Sequence, residues 1–480
     1  MRHRSVIAGV ALACVLVVRT TAGVQTQPES FTNIADHFNY GSVGTEERAG
    51  IPYWIWRVLP IVFADKLPSR PGKGYERLGF ISGGATHGRP IGTSFKPGRV
   101  GLVGLNCATC HVGTIRASPS DPRQIIQGMP ANQMDLQGYA RFLTACANDT
   151  RFTASTLIAA IKKENPDFGW FESLAYRFLA IPQTRRGILD RAKENAWFDA
   201  RPPQGPGRVD TFNPYKVLLK LDLQNDPTVG TVDLPSLWNQ RIRRNLWLHW
   251  DGNNNLVEER NKSAAIGAGA TPDSLDLPAM ARIEDWIMDL EAPRYPAGRI
   301  DAAKASQGAA AYQRECAACH EIGGVRTGQV TPVADVGTDR ERIDSFTAAL
   351  AAGMNTIGEG KPWKFSHFRK TDGYANQPLD GVWLRAPYLH NGSVPTVYHL
   401  LKSDTRPKLY TRSFKTGKDD GKKAKSYSPQ RSHYFKESGF GNFAEAYRTG
   451  FSRGYREGYQ AGANERANKE REKALEERAG

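Results

Sequence analysis

The stretch Cys107-Ala108-Thr109-Cys110-His111 decides how this chain is interpreted, and it recurs as Cys316-Ala317-Ala318-Cys319-His320. Cys-x-x-Cys-His is the attachment motif of a c-type haem. Two cysteines three positions apart lie on one side of a helical turn, where both can form thioethers with one porphyrin. The adjacent histidine can then bind the iron as its proximal ligand. The sequence therefore predicts two covalently bound haem c groups.

A Cys-x-x-Cys pair also occurs in zinc half-sites, in thioredoxin-like redox pairs and in structural disulfides. A zinc site usually needs a second ligand pair nearby, and none follows either motif at finger or ribbon spacing. Neither pair lies in an evident βαβ pattern, and each is followed directly by histidine, which favours haem. The predicted haem-binding residues are Cys107, Cys110, His111, Cys316, Cys319 and His320. Of these, His111 and His320 are the predicted iron ligands.

The N-terminus reads as a secretory signal peptide, which we place at residues 1–23. Residues 2–4 are basic, residues 6–18 form an apolar run, and the small residues at 20–23 suit cleavage. The apolar run is shorter than the ~20 residues that span a bilayer, which disfavours a membrane anchor. No later segment is apolar enough to span a membrane. We therefore expect a periplasmic or secreted protein, a location that suits covalent haem attachment.

The chain has 480 residues and a formal charge of +15, much of it between Lys402 and Lys436. In a cytosolic chain such a basic segment would favour nucleic-acid binding. In an exported haem protein it instead indicates a solvated loop or a docking face for an acidic redox partner protein. We therefore predict no nucleic-acid partner. Cys146 is the one cysteine left after signal cleavage and haem attachment, and its helical context predicts a buried, inert thiol.

Helical periodicity dominates the chain, and strand signals are few, so the predicted fold is mainly α with long irregular loops. The predicted helices cover residues 136–146, 153–163, 171–179, 187–197, 280–290 and 302–316. Residues 50–60 look too aromatic and too interrupted by proline for a normal helix, and suit either a wrap around a haem edge or ordinary core. The predicted units are an N-terminal haem domain with a helical insertion (24–295), a C-terminal cytochrome c-like haem domain (296–440) and a helical tail (441–480).

The tail has a pattern of its own. Tyr447, Phe451, Tyr455 and Tyr459 recur every four residues, and a second stripe of glycines does the same. On a helix these residues form adjacent aromatic and glycine stripes. We expect the tail either to dock on the body of the protein or to form a homo-oligomer.

Two further segments carry a family resemblance. Residues 248–259 (Leu-His-Trp-Asp-Gly-Asn-Asn-Asn-Leu-Val-Glu-Glu) resemble the Trp-Asp-Gly segment of the bacterial dihaem cytochrome c peroxidase superfamily, and residues 386–396 (Ala-Pro-Tyr-Leu-His-Asn-Gly-Ser-Val-Pro-Thr) resemble its C-terminal segment. With residues 50–56 and 207–210 included, the chain looks closest to the rubber-oxygenase-like dihaem c-type cytochromes. The resemblance spans roughly residues 38 to 410, and the tail lies outside it.

The resemblance implies roles for two residues. Trp250 matches the tryptophan that lies between the two haems and relays electrons, although a plain core tryptophan is the alternative. His390 lies near the second haem, either as an iron ligand or as a hydrogen-bonding neighbour. No methionine follows His390 at the position where many peroxidases bind the second haem, which favours a bis-histidine or otherwise altered site. The rival histidines are His249, His399 and His433.

One departure from the family concerns proton transfer. Peroxidases of this family carry an acidic residue about twenty positions after the tryptophan, and residues 268–272 (Ala-Gly-Ala-Thr-Pro) contain no carboxylate. Peroxide cleavage needs a group that moves protons at the distal face of the haem. Glu258 and Glu259 are near in sequence, but we expect them on a solvated helix face. The departure disfavours a simple peroxidase and favours an oxygenase-type or unassigned role.

These observations predict an exported dihaem redox enzyme. Oxygen or peroxide would react at the N-terminal haem, and the C-terminal haem would deliver electrons through Trp250, with a redox partner protein or a small-molecule oxidant as the other reactant. The alternative is a non-catalytic periplasmic dihaem electron carrier. A weaker alternative is a partner-binding protein whose haems only sense redox state or small gases. The sequence names no substrate.

Overall fold

The fold is mainly helical, as the periodicity predicts. The computed structural model describes residues 27–83, 87–116, 121–223, 225–296 and 300–407. About 44% of the structure is helix and about 10% is strand. No helix within these ranges is long and apolar enough to cross a membrane. The predicted signal peptide, the predicted tail and the basic segment from residue 408 onward lie outside the described residues.

The helices alternate with short strands and long connections. The helices are α1 (Ile34–Tyr40), α2 (Glu46–Ala49), α3 (Tyr53–Val62), α4 (Ala108–His111), α5 (Leu136–Asn148), α6 (Ala154–Glu164), α7 (Trp170–Ala175), α8 (Ile181–Glu194), α9 (Asn213–Leu218), α10 (Val257–Gly267), α11 (Leu277–Met288), α12 (Ala302–Glu315), α13 (Ala317–His320), α14 (Val333–Val336), α15 (Glu341–Ser345), α16 (Ala348–Met354) and α17 (Val397–Leu401). The predicted helices are confirmed, with one of them divided between α7 and the π-helical turn Tyr176–Ala180 that follows it.

The strands form small antiparallel sheets. The strands are β1 (Ile51–Pro52), β2 (Thr93–Lys96), β3 (Leu102–Leu105), β4 (Val112–Ile115), β5 (Gln124–Gln127), β6 (Arg208–Asp210), β7 (Thr231–Asp233), β8 (Val330–Pro332) and β9 (Gly373–Ala375). The order β1-β3-β2 makes one three-stranded sheet, and β4-β5, β6-β7 and β8-β9 are two-stranded. Asp233 at the end of β7 pairs with Arg208, and Ala375 at the end of β9 pairs with Val330.

The expectation that residues 50–60 form no normal helix is wrong, because most of them belong to α3. Pro60 lacks the N–H that would donate to the carbonyl of Trp56 one turn earlier. The hydroxyl of Tyr75 donates to that carbonyl instead, at 2.7 Å. The buried faces of Ile55, Trp56 and Leu59 belong to a core cluster. The aromatic run therefore builds ordinary core, and a side chain distant in sequence repairs the hydrogen bond that proline removes.

The buried side chains form two large clusters. The first joins α3, α5 and α6, and it contains Cys146, whose side chain has no exposed surface. Burial raises the pKa of the Cys146 thiol to about 12, which confirms the predicted inert thiol. The second cluster combines residues such as Phe38 and Ile283 with Phe346 and Phe365. The boundary at 295/296 stays a prediction, and this second core takes side chains from both sides of it.

We expect Tyr75→Phe to lower the free energy of unfolding by about 1–3 kcal/mol, because it leaves the buried carbonyl of Trp56 without a donor. Urea unfolding of the holoprotein, followed by circular dichroism, measures the loss. Tyr53→Phe is the matched control, since the Tyr53 hydroxyl makes no hydrogen bond within the described ranges, and it should change stability by less than about 0.5 kcal/mol. Equal losses in the two variants would contradict the repair of the helix by Tyr75.

Candidate haem centres and the residues between them

The first Cys-x-x-Cys-His motif forms a tightly held helical turn. Asn106 accepts a hydrogen bond from the backbone N–H of Ala108 at 3.0 Å, and its amide donates to the carbonyl of Gly41 at 2.9 Å. The Thr109 hydroxyl donates to the carbonyl of Gly92 at 2.6 Å. These contacts fix the turn α4 that carries the motif, and they orient its histidine.

The imidazole of His111 has its tautomer set by a backbone carbonyl. Nδ1 lies 2.8 Å from the carbonyl oxygen of Pro235, and since a carbonyl only accepts, Nδ1 carries the proton. Nε2 therefore keeps its lone pair, as in histidines that ligate metals. Burial lowers the pKa of His111 to about 4, so the ring is neutral at physiological pH. His111 has the form that an axial haem ligand requires.

A large cavity adjoins this motif. It has a volume of about 870 Å³, and its wall includes both cysteines of the first motif and His111. Protein interiors are close-packed and hold few voids larger than a water molecule, so a cavity of this size needs an occupant. Ligand pockets of about 300–1,000 Å³ have this scale. The cavity and the attachment residues together fit a haem.

The environment of the first cysteine pair disfavours a thioredoxin-like role. Burial raises the pKa of Cys107 to about 11 and that of Cys110 to about 12. A reactive redox cysteine needs a lowered pKa, because the thiolate is the nucleophile. Both residues are free cysteines rather than a disulfide. Within the described ranges, no group of three or more histidine, cysteine or acidic side chains could hold a metal ion.

The second motif repeats the geometry of the first. Nδ1 of His320 lies 2.9 Å from the carbonyl oxygen of Gln377, so Nε2 again keeps its lone pair. Exposed apolar side chains flank both elements: Ile322 and Val325 follow the motif, with 59% and 79% of their surface exposed, and Leu379 follows Gln377. A porphyrin attached here would cover apolar surface that otherwise faces water. The residues at the second motif also fit a haem, at a more exposed position.

Trp250 is joined to both motif histidines through backbone segments. Its indole Nε1 donates to the carbonyl of Asp233 at 3.1 Å, two residues before Pro235, whose carbonyl holds His111. Its own carbonyl accepts from the backbone N–H of Ala375 at 2.9 Å, two residues before the carbonyl that holds His320. One segment begins at the last residue of β7 and the other at the last residue of β9. Trp250 thus lies between the two motifs.

The acidic residue of the Trp-Asp-Gly segment forms a buried ion pair. Nε and Nη2 of Arg342 donate to Asp251 at 2.9 and 2.8 Å, and both side chains are almost fully buried. Arg342 also donates to the Thr211 hydroxyl at 3.0 Å and lies 4.2 Å from the ring centre of Phe212. This ion pair ties the Trp250 loop to α15. Sequence reasoning missed this role, because the partner lies 91 residues away.

The Trp-Asp-Gly segment needs glycine at its third position, because a side chain would not fit there. Gly252 has a φ of +62°, and a Cβ atom there would lie 2.4 Å from Val330. A side chain would therefore push the loop away from β8.

His390 is buried within a polar cluster. Its Nε2 lies 3.1 Å from the Tyr374 hydroxyl and 3.2 Å from the Asp339 carboxylate, and its ring stacks on Tyr374 at 4.4 Å. Its carbonyl accepts from the backbone N–H of Asp233 at 2.8 Å. These contacts favour the hydrogen-bonding role, and iron ligation by His390 stays a prediction. His399 lies on α17, where its Nδ1 is 2.8 Å from the Thr396 hydroxyl, and His433 lies outside the described residues.

Small residues line the first cavity where peroxidases of the resembled family carry their carboxylate. Ala264, Ala265 and Gly267 of α10 and the following Ala268 and Gly269 are part of the wall. This stretch therefore contributes space and no acid–base group.

The expectation of a solvated face is wrong for Glu259. Glu258 is exposed, but Glu259 is only 3% exposed. Its carboxylate accepts from the backbone N–H groups of Ser366 and His367 at 2.8 and 3.1 Å, and from the Asn254 amide at 2.9 Å. A distant loop thus supplies the donors that make burial of this carboxylate tolerable. It has a structural role outside the cavity wall.

His249, one of the rival histidines for the second haem, lines the first cavity together with His111. The same wall includes Gln377, whose carbonyl holds His320, so a role of His249 at the second haem stays a prediction. The φ of His249 is +63°, and its Nδ1 lies 2.6 Å from the Asn253 side-chain oxygen. The spacing along the chain gave no signal for this placement.

The fold is mainly helical, and the residues at both Cys-x-x-Cys-His motifs fit a covalently bound haem. Residues 373–411 match the family model described as RoxA-like, cytochrome c-like. This match relates the chain to the rubber-oxygenase-like cytochromes over that short stretch, and it supports covalently bound haem c, iron and electron transfer. The matched stretch begins at β9 and includes Gln377 and His390.

Two proteins of Sinorhizobium fredii are similar to this chain, and both are named as uncharacterized. The protein y4iM is 33% identical over 211 residues, covering 39% of this chain and 48% of its own length. The protein y4iJ is 24% identical over 403 residues, covering 64% of this chain and 65% of its own length. The chain thus spans about half of the first relative and about two thirds of the second.

We expect Asp251→Asn to lower the free energy of unfolding by about 3–5 kcal/mol, because it leaves the buried guanidinium of Arg342 without its counter-charge. Thermal and urea unfolding of the holoprotein measure the loss. Asp289→Asn is the control, since Asp289 forms a two-contact pair with Arg241 at the surface, at 2.6 Å for each contact. The control should leave the unfolding midpoint unchanged, and a small effect of Asp251→Asn would show that the buried pair is dispensable.

Proposed function

We propose that this protein is an exported dihaem c-type cytochrome that acts as a redox enzyme. Oxygen or peroxide would react at the haem held by Cys107, Cys110 and His111, and electrons would arrive from the haem held by the second motif. The observation that carries the proposal is that Trp250 is hydrogen-bonded to both backbone segments that hold the motif histidines. Its indole Nε1 donates to the carbonyl of Asp233, two residues before Pro235, and its own carbonyl accepts from the N–H of Ala375, two residues before Gln377. One residue thus contacts both segments whose carbonyls hold the predicted proximal ligands.

The surroundings of Trp250 support a relay role. The side chain lines the first cavity, and it packs against Val333, Ile343 and Tyr374 on the side of the second motif. Its Nε1–H is bonded to Asp233, which fixes the plane of the ring. An indole is a large polarisable group, and a fixed one between two macrocycles offers a defined path for electrons.

The difference between the two sites supports a division of labour. A haem with an open coordination position supplies the electron chemistry with oxygen or peroxide. The first site offers a mainly apolar cavity whose wall includes small residues of α10 and side chains of α5 and α8. Such a cavity leaves room for a small oxidant or an organic molecule. The second site is closer to the surface, which suits electron exchange with a partner protein.

A non-catalytic electron carrier is the second candidate. The observation that favours it is the presence of His249 on the wall of the first cavity. A second imidazole could occupy the sixth coordination position of the haem iron, which would leave no position for oxygen or peroxide. Export through the signal peptide and self-association through the tail belong to either candidate.

The holoprotein should contain two haems per chain by pyridine haemochrome assay, and low-temperature electron paramagnetic resonance should give one high-spin ferric signal. The variant Cys316→Ser/Cys319→Ser should keep one haem and that signal, which assigns it to the first site. Fewer than two haems in the wild type would remove the dihaem proposal. Two low-spin signals without a high-spin one would favour the carrier.

We expect Trp250→Phe to slow electron transfer between the haems by about tenfold, the factor that a barrier higher by about 1.4 kcal/mol produces. Pulse radiolysis of the oxidised holoprotein measures the transfer directly. Trp286→Phe is the control, because Trp286 packs on Phe38 in the second core and lies outside the cavity wall. Unchanged kinetics in Trp250→Phe would leave this residue a role in packing alone.

A further inference from the structure

His249 occupies an unusual backbone conformation on the wall of the first cavity. Its φ of +63° lies in the left-handed region, which non-glycine residues adopt rarely and histidine, asparagine and aspartate adopt more readily than most. Leu248, just before it, is held by its backbone N–H to the carbonyl of Asn254 at 2.7 Å, and Trp250, just after it, is held by Asp233 and Ala375. Strained conformations of this kind persist where the surroundings over-determine them, and they cluster at functional sites.

The protonation of the His249 ring follows from its neighbours. Asp251 is ion-paired with Arg342, so its carboxylate is an acceptor, and it accepts from the Asn253 amide nitrogen at 3.0 Å. The other end of the Asn253 amide is therefore its oxygen, which also accepts only. This oxygen lies 2.6 Å from Nδ1 of His249, so Nδ1 carries the proton. A buried ion pair thereby leaves Nε2 of His249 with a free lone pair.

Nε2 of His249 faces no hydrogen-bond donor among the residues that the structure describes. Burial lowers the pKa of His249 to about 4, helped by the positive charges of Arg342 and Arg260 and opposed by the contact with Asn253 and the charge of Asp251. The imidazole is therefore neutral at physiological pH. A neutral ring with an unshared lone pair is a proton acceptor.

A second acid–base group on the cavity wall, the Asp210 side chain, is already hydrogen-bonded within the protein. The carboxylate of Asp210 accepts from the backbone N–H groups of Phe212, Asn213 and Gly230 and from the Asn213 amide, at 2.8 to 3.1 Å. Four hydrogen-bond donors thus already engage this carboxylate. The stretch 268–272 supplies no acid–base group.

We propose that His249 is the proton acceptor for hydrogen peroxide, and for other protic ligands, that enter the first haem cavity. The proposal rests on the proposed function, in which an oxidant reacts at this site. In the step, the O–H bond of hydrogen peroxide breaks, the proton forms an N–H bond at Nε2, and the hydroperoxide anion keeps the electron pair. No electron changes hands in this step. His249 would thus supply the acid–base group that the family position after Trp250 lacks.

The test uses the full-length holoprotein and the variants His249→Gln and His249→Asn. Neither amide has a basic nitrogen, and asparagine suits the left-handed backbone. His87→Gln is the matched control, since the His87 ring packs against Tyr40, with 3.9 Å between the ring centres, and lies outside the cavity wall. The three readouts are the bimolecular rate with hydrogen peroxide, the association rate of hydrogen cyanide, which must lose its proton to bind, and the ferric spin state. Haem content per chain checks that each variant is folded and loaded.

We expect both His249 variants to react with hydrogen peroxide about 10²–10⁴-fold more slowly, the range that a positioned acid–base group contributes. Cyanide association should also slow by about tenfold or more, with an unchanged high-spin signal and a control that matches the wild type. Rates within about threefold of the wild type for both ligands would overturn the proposal while leaving the enzyme function intact. A low-spin wild type that becomes high-spin in the variants would also overturn it, because His249 would then be an iron ligand. A wild type that does not react with peroxide, yet binds cyanide faster than the variants, would remove peroxide as the oxidant of the proposed function and retain the proton-accepting role.

Discussion

The hydrogen bond from Nδ1 of each motif histidine to a backbone carbonyl is the contact on which the arrangement of the two sites depends. It keeps the ring proton on Nδ1 and leaves Nε2 free to bind iron. Both accepting carbonyls lie two residues beyond the end of a strand, and the strand ends themselves contact Trp250. The small sheets β6-β7 and β8-β9 therefore set the orientation of the two motif histidines. The same two sheets also hold Trp250 in position between the two motifs.

A second constraint organises the loop between those sheets. The buried pair of Arg342 and Asp251 costs desolvation energy, and its contacts propagate through Asn253 to the ring of His249. One ion pair thus holds the loop of Trp250 and also selects the tautomer of the histidine beside it. The proposed electron path and the proposed acid–base group of the first cavity therefore depend on the same side chains, so we expect a change in this pair to affect both.

The two sites are alike in ligand geometry and different in surroundings. The first has a cavity with a mainly apolar wall, and the second is flanked by exposed apolar side chains such as Ile322 and Val325. Burial and solvent access are among the factors that set haem reactivity and potential. Two sites with the same Cys-x-x-Cys-His pattern can therefore differ in reactivity through packing, as the proposed division of labour requires.

The haem motifs, the helices and the inert Cys146 could be derived from the sequence alone, because each depends on residues that are close together in the chain. The helix over residues 53–62 could not, because Tyr75 supplies the donor that Pro60 lacks. The burial of Glu259 depends on a loop more than a hundred residues away, and the placement of His249 in the first cavity depends on the ion pair with Arg342. The two contacts of Trp250 likewise join the carbonyl of Asp233 and the N–H of Ala375, which belong to two separate sheets. Covalent chemistry and periodicity are local properties, whereas a buried polar group takes its partner from wherever the folded chain brings one.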